Sequence, residues 1–226
     1  MRYDAVFLDV DGTLLWVDLD FEGYAEDLAP YSENGLTADD AAGPMKESVR
    51  SHIKENIKYR TAEELDGFKK ENAKKTAVAL GIEAPEEVLT EIADRRISFR
   101  PYEESEEVLE ELKALGVPMY IVSNWDVTLE DTLDELGWLG YFDGVIASAV
   151  VGSEKPDGGI FEEALRVSGE VPSRVVHVGN DVVADIRGAA GCDIDTVLVD
   201  RGGDAFSPEA TFICSDLRII PNVLRG

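Results

Sequence analysis

Asp9 and Asp11 stand two residues apart at the end of an apolar run, in AVFLDVDGTLLW. Each carboxylate raises the cost of ionising the other. More polar groups follow later apolar runs: Ser123 and Asn124 in YIVSNWD, Lys155 in SEKPDGG, and Asn180, Asp181 and Asp185 in HVGNDVVADIRGA. Four carboxylates facing one cleft cannot all ionise without a cation. Oxygen-only ligands with several acids suit a hard ion, Mg²⁺ above all, which keeps waters and commonly bridges to a phosphate. A lysine with hydroxyl and amide donors suits the oxygens of a phosphoryl group. A carboxylate nucleophile that forms an acyl phosphate is one route of phosphoryl transfer. A second acid two residues on can protonate the leaving alkoxide and then activate water. The residue types point to metal-assisted phosphoryl transfer.

These groups meet only if the runs before them are neighbouring strands. The chain alternates short apolar runs with helix-period segments, which predicts an α/β fold with a parallel sheet. In such sheets ligands bind outside the carboxyl ends of the strands. Strands are expected at residues 5–8, 118–122, 144–147, 174–178 and 196–199, with a weaker one at 211–213. SEEVLEELKALG, TLEDTLDELG and GIFEEALRVSG carry apolar residues on one helical face and stop on Gly116, Gly137 and Gly169. From residue 17 to 98 no strand is expected, and three helical segments fill the stretch. Residues 1–15 with 99–226 are therefore expected to form a Rossmann-like core flanked by helices, and 16–98 an inserted all-helical domain. In PMKESVRSHIKENIKYR the apolar stripe is Met45, Val49, Ile53 and Ile57. Beside it run Lys46, Arg50, Lys54 and Lys58, read as a solvated face with Glu47 and Glu55 as partners.

The 226 residues are 44% hydrophobic, as in ordinary globular proteins. No apolar run reaches the ~18 residues of a membrane span. The N-terminal apolar run is too short for a signal peptide and ends in acids, so a cytoplasmic protein is expected. Cys192 and Cys214 suggest no disulfide framework. His52 and His177 are too few and too separated for a zinc site, and His177 is expected to fill the end of its strand. With 21 basic and 47 acidic side chains the formal charge is −26. Such a chain repels nucleic acid and anionic membranes, and neither is expected as a partner. The acidity fits either a soluble surface or adaptation to high salt, where screening confines repulsion to about 3 Å at molar ionic strength.

Four segments in order resemble the motifs of the haloacid dehalogenase superfamily of hydrolases. FLDVDGTL is similar to the first motif, IVSN to the second, KPD to the third and HVGNDVVADIRGA to the fourth. The likeness covers about residues 1–15 and 99–200, and the insert matches the position and helical character of the family's cap. The resemblance implies a phosphatase using Mg²⁺ on a small phosphorylated substrate. Asp9 would be the nucleophile. Asp11 would be the general acid and base, its backbone carbonyl touching the metal. Gly12 would permit the turn, and Thr13 would steady it and bind substrate. Ser123 and the Asn124 backbone would bind phosphoryl oxygens, and Lys155 would neutralise charge. The fourth motif would complete the metal site, but here it departs from the family's Gly-Asp-Ser and reads Gly179-Asn180-Asp181. Asp181 with Asp185 is the expected ligand pair, and Asn180 could serve in place of Asp181. Trp16 and Trp125 follow the first two motifs and are placed to line the substrate pocket, though Trp is also ordinary core material. A dehalogenase typically lacks the second acid of the first motif, so Asp11 argues against that activity. The same motifs would also suit a phosphomutase or a non-catalytic, phosphate-binding regulator.

Overall fold

The run Ala-Val-Phe-Leu forms strand β1 (Ala5–Leu8), with all four side chains buried. The computed structural model describes residues 1–205 and 207–226. After β1 the elements are β2 (Leu15–Leu19), α1 (Phe21–Leu28), α2 (Ala38–Glu55), α3 (Ala62–Ala79), α4 (Glu86–Arg95) and β3 (Ile97–Pro101). Then follow α5 (Ser105–Ala114), β4 (Met119–Ser123), α6 (Leu129–Glu135), β5 (Gly144–Ala147), α7 (Ser148–Val151) and α8 (Gly158–Ser168). The chain closes with β6 (Val175–Gly179), a π-helical turn Val182–Arg187, α9 (Gly188–Ala190), β7 (Asp195–Val199), β8 (Phe212–Cys214) and α10 (Ile220–Arg225). It divides into two compact units, residues 1–16 with 101–226, and residues 17–100.

In the first unit the sheet order is β5-β4-β1-β6-β7-β8, and every pairing is parallel. Phe7 sits opposite Tyr120 on one side and His177 on the other. This shared register brings the residues that follow β1, β4 and β6 out along one edge. One face buries Phe7, Tyr120, Val122 and Ile146 against Ile160, Phe161 and Ala164 of α8. Strands β4 and β6 begin one residue later than the sequence suggests. For β4 the reason is Pro118, which has no N–H for the ladder, although its carbonyl accepts from Val6 N at 3.0 Å. Cys192 and Cys214 are both free thiols.

The second unit is helical but not wholly so, which corrects the expectation. β2 and β3 pair as a two-stranded ribbon, with Arg100 Nε 3.3 Å from Asp18 Oδ2. Each strand is short and its partner is distant in sequence, so neither run displays the pairing alone. Helix α2 starts on a capping box, Asp40 N donating to Thr37 Oγ1 at 3.3 Å and Thr37 N to Asp40 Oδ2 at 3.1 Å. The expected apolar stripe of α2 holds only in part. Met45 is buried, but Ile53 is 56% exposed. Four-residue spacing drifts about 40° per step on a helix of 3.6 residues per turn, which rotates the stripe off the core. Two members of the basic stripe are ion-paired, Arg50 with Glu47 at 3.5 Å and Lys58 with Glu55, while Lys46 Nζ lies over the Phe21 ring at 5.1 Å. Among the described residues no helix is long and apolar enough to cross a membrane.

Arg96, next after α4, donates to Asp27 Oδ2 at 2.7 Å and to Asp20 Oδ2 at 2.8 Å. Its hydrogen bond, helped by Arg95, holds the Asp27 carboxyl at about 2. An unfolded Asp titrates near ~3.9. The stabilisation is therefore complete above that value and lost as pH falls toward about 2. Asp27→Asn is expected to lower the melting temperature at neutral pH and to change it little near pH ~2. An equal drop at both would refute the assignment.

Candidate active site

Asp9 follows β1 directly and is 5% exposed. Its backbone N–H bonds the Val178 carbonyl of β6 at 2.9 Å. Three donors converge on its carboxylate. Lys155 Nζ lies 2.6 Å and Ser123 Oγ 3.0 Å from Oδ1, and Thr13 Oγ1 lies 3.1 Å from Oδ2. Lys155 Nζ also donates to Asp185 Oδ1 at 2.6 Å. Asp185 accepts twice more, from His177 Nε2 at 2.9 Å and, on Oδ2, from Asp181 N at 2.9 Å. A carboxylate only accepts, so His177 carries its hydrogen on Nε2, and its buried Nδ1 has no hydrogen-bond partner among the described residues. Gly179 is required beneath Asp185, because a Cβ there would fall 2.2 Å from the Asp185 carboxyl carbon. Gly12 (φ +81°) makes the turn, and its missing Cβ leaves room for the Asn180 side chain.

Burial pushes the Asp9 carboxyl upward, Lys155 opposes this, and Asp185 adds to it. Burial also disfavours charge on Lys155, but Asp185 and Asp9 outweigh it and raise its ammonium. For Asp185 burial is overcome by Lys155 and the His177 hydrogen bond, and the group is held well below the usual carboxylate range. Lys155 is thus an ammonium shared by two buried carboxylates.

The expected gathering of four carboxylates is not what the chain builds. Asp9 and Asp185 share Lys155, whereas Asp11 is exposed on the turn. Asp181 is also exposed and caps the π-helical turn, its Oδ1 accepting from Val183 N and Ala184 N at 2.7 Å each. Asn180 instead reaches the first motif, its Oδ1 3.3 Å from Thr13 Oγ1. Among the described residues no three His, Cys, Asp or Glu side chains converge as a metal cluster. Oxygen donors remain, however. Thr13 has one hydroxyl hydrogen facing two acceptors, Asp9 Oδ2 and Asn180 Oδ1, so one of them lacks a donor from it. Carboxylate and amide oxygens so placed fit a hard cation.

Asn124 does more than the sequence suggests. Its side chain grips the Lys155 backbone from both sides, Oδ1 accepting from Lys155 N at 2.7 Å and Nδ2 donating to Lys155 O at 2.9 Å. A cis peptide joins Lys155 to Pro156. Trp125 is 8% exposed, and its backbone is held by the buried Ser148 hydroxyl, so it is core rather than an open pocket wall. Trp16 is 40% exposed and leans on Tyr102 with ring centroids 5.0 Å apart. Ser148 and the hydrogen bond of His177 carry no signal in the sequence alone.

Residues 3–193 match the family described as haloacid dehalogenase-like hydrolase. The chain belongs to that family. This haloacid dehalogenase-like hydrolase is 32% identical over 201 residues to a glyceraldehyde 3-phosphate phosphatase of Methanothermobacter thermautotrophicus, covering 86% of this chain and 84% of the relative. It is 32% identical over 193 residues to a phosphoserine phosphatase of Thermus thermophilus, covering 84% and 68% respectively. Its fold is like that of the HAD phosphatase from Thermococcus onnurineus, with a TM-score of 0.64 at 23% identity over 99% of this chain and 98% of that one.

Proposed function

We propose that this hydrolase cleaves monoesters of small phosphorylated metabolites through a phosphoryl group carried on Asp9. One observation carries the reading: a buried carboxylate at the end of the central strand, met by an ammonium and two hydroxyls. The named phosphatase relatives support the substrate class. An Asp9 oxygen attacks phosphorus, the ester P–O bond breaks, and Asp11 gives its proton to the leaving alkoxide. Asp11 then takes a proton from water, whose oxygen attacks the same phosphorus. The Asp9–phosphorus bond breaks, phosphate leaves and the carboxylate returns. Ser123 and the Asn124 backbone hold the phosphoryl oxygens, and Lys155 balances their charge. Thr13 keeps the turn in place. The helical unit is read as the cap of such enzymes, with Trp16 at the start of the insertion.

Asp9, the Asp11 carbonyl, Asn180 and Asp185 are the groups that would hold Mg²⁺, with Asp181 left to its cap. When bound, the ion neutralises charge that gathers on the phosphoryl oxygens. Asn180 offers a neutral oxygen where an acid is common, so binding is expected to be weak. By calorimetric titration, Asn180→Asp should tighten Mg²⁺ and Asn180→Ala weaken it by about 10-fold or more. Asp181→Ala should cost less affinity and about 1 kcal/mol of stability from the lost cap. The opposite ranking would return the ligand role to Asp181. The function itself is tested by phosphate release from p-nitrophenyl phosphate, sugar phosphates, nucleotides and phosphoglycolate, with and without Mg²⁺, at low and high salt. Release that depends on Mg²⁺ is expected. No release from the whole panel would overturn the reading in favour of a binding protein.

A further inference from the structure

Arg201 stands two residues beyond β7, outside the four motifs. Its guanidinium touches three groups. Nη1 lies 2.5 Å from Glu104 Oε1, and Nη2 donates to the Thr13 carbonyl at 2.9 Å. Its plane lies over the Tyr102 ring, Cζ being 3.6 Å from the centroid. Glu104 is 4% exposed, so its charge depends on this partner. The next carbonyl, that of Leu14, accepts from Ser105 Oγ at 2.6 Å and from Tyr102 N at 3.1 Å. The chain leaving the first motif is therefore held at two successive carbonyls. The turn before it closes on itself, Gly12 N bonding Leu15 O at 2.7 Å and Leu14 N bonding Val10 O at 2.9 Å. Thr13 is gripped at both ends, its carbonyl by Arg201 and its hydroxyl by Asp9 and Asn180.

We propose that Arg201 is a positioning residue for the turn that carries Asp11 and Thr13. By fixing the Thr13 carbonyl it aims the Thr13 hydroxyl at Asp9 and sets where Asp11 stands. The role needs an arginine. A rigid fork serves Glu104 and Thr13 together while its face stacks on Tyr102, and an ammonium cannot do all three. The inference rests on the reading of Asp9 and Asp11 as the reacting acids. Displacing a reacting group by about 1 Å can cost about 100-fold in rate.

The test must separate this role from the stability of the Glu104–Arg201 pair. Arg201→Met strands a buried carboxylate and should lower the melting temperature. Glu104→Met/Arg201→Met removes both charges and should restore it, as apolar replacements of buried pairs often do. Three quantities are followed in both variants: melting temperature, backbone amide exchange over residues 10–16, and kcat and KM on a monoester that the wild type hydrolyses. In the double variant we expect a recovered melting temperature, faster exchange in that segment, and kcat down about 10- to 100-fold with little change in KM. Recovery of kcat together with the melting temperature would overturn the proposal, leaving Arg201 a stabilising partner. A rise in KM alone would also overturn it, since that marks substrate binding. If the wild type hydrolyses no monoester, the proposed function fails by itself. The exchange measurement then still decides: unchanged exchange over residues 10–16 in the double variant refutes the clamp, and faster exchange supports it.

Discussion

Asp9→Asn is expected to abolish Mg²⁺-dependent phosphate release, by at least about 1000-fold, in a protein that remains folded. Loss of a nucleophile typically costs that much or more, because the remaining groups act as a unit with it. An amide oxygen cannot displace an alkoxide and form a stable acyl phosphate, so the covalent route is closed. Folding should survive. The amide keeps the volume of the carboxylate and can still accept from Ser123 Oγ, now 3.0 Å from Oδ1. Lys155 retains Asp185, also at 2.6 Å. The measurement is phosphate release by wild type and variant on the best substrate of the panel, with melting temperature as the folding control. Activity within 10-fold of wild type would remove Asp9 from the reaction and with it the proposed mechanism.

Much of this site was legible because parallel strands buried on both faces write themselves as apolar runs. Ala5–Leu8 is such a run, and its four buried side chains lie where the hydrophobicity puts them. The residues that follow the runs then fall on one edge of the sheet. Legibility fails where a side chain chooses between a local and a distant partner. Asp181 could face the first motif or cap the turn that it begins, and two backbone N–H groups at 2.7 Å capture it. Asn180 depends on the space left at Gly12, a residue far away in sequence. The β2–β3 ribbon depends on pairing across the whole helical unit. His177 reads as strand filler, yet its Nε2 is committed to Asp185. For Asn180 and the ribbon the deciding contact is long-range. For Asp181 it sits at the start of a helical turn where side chain competes with backbone, and for His177 it joins two side chains eight residues apart.

Asn124 and His177 suggest how the cluster is kept ready. One fixes the backbone of Lys155 and the other fixes the carboxylate that shares its ammonium. The lysine is thereby held in place from its main chain and from its charged end. Such pre-ordering is worth most where charge develops during reaction, since no reorganisation is then needed.

Lys155→Met is the sharpest test of that arrangement. The variant keeps the stem and deletes the ammonium, leaving Asp9 and Asp185 buried at 5% and 1% exposure without their shared cation. Removing one member of a buried ion pair typically costs about 3–5 kcal/mol, and this lysine serves two acids. Activity should fall by at least about 100-fold, because the phosphoryl charge loses its counter-ion. The pH dependence supplies the sign. In the wild type Asp185 is held low, so its stabilising contribution is present above the unfolded value near ~3.9 and lost as pH falls below it. In the variant, burial and mutual repulsion raise both acids above that value, so stability is recovered as they take up protons. The gap in unfolding free energy between wild type and variant should therefore be widest near neutral pH and narrow toward pH ~4. Denaturant unfolding of both proteins across that range measures it. A gap that is constant with pH would mean that Lys155 fills space rather than balances charge.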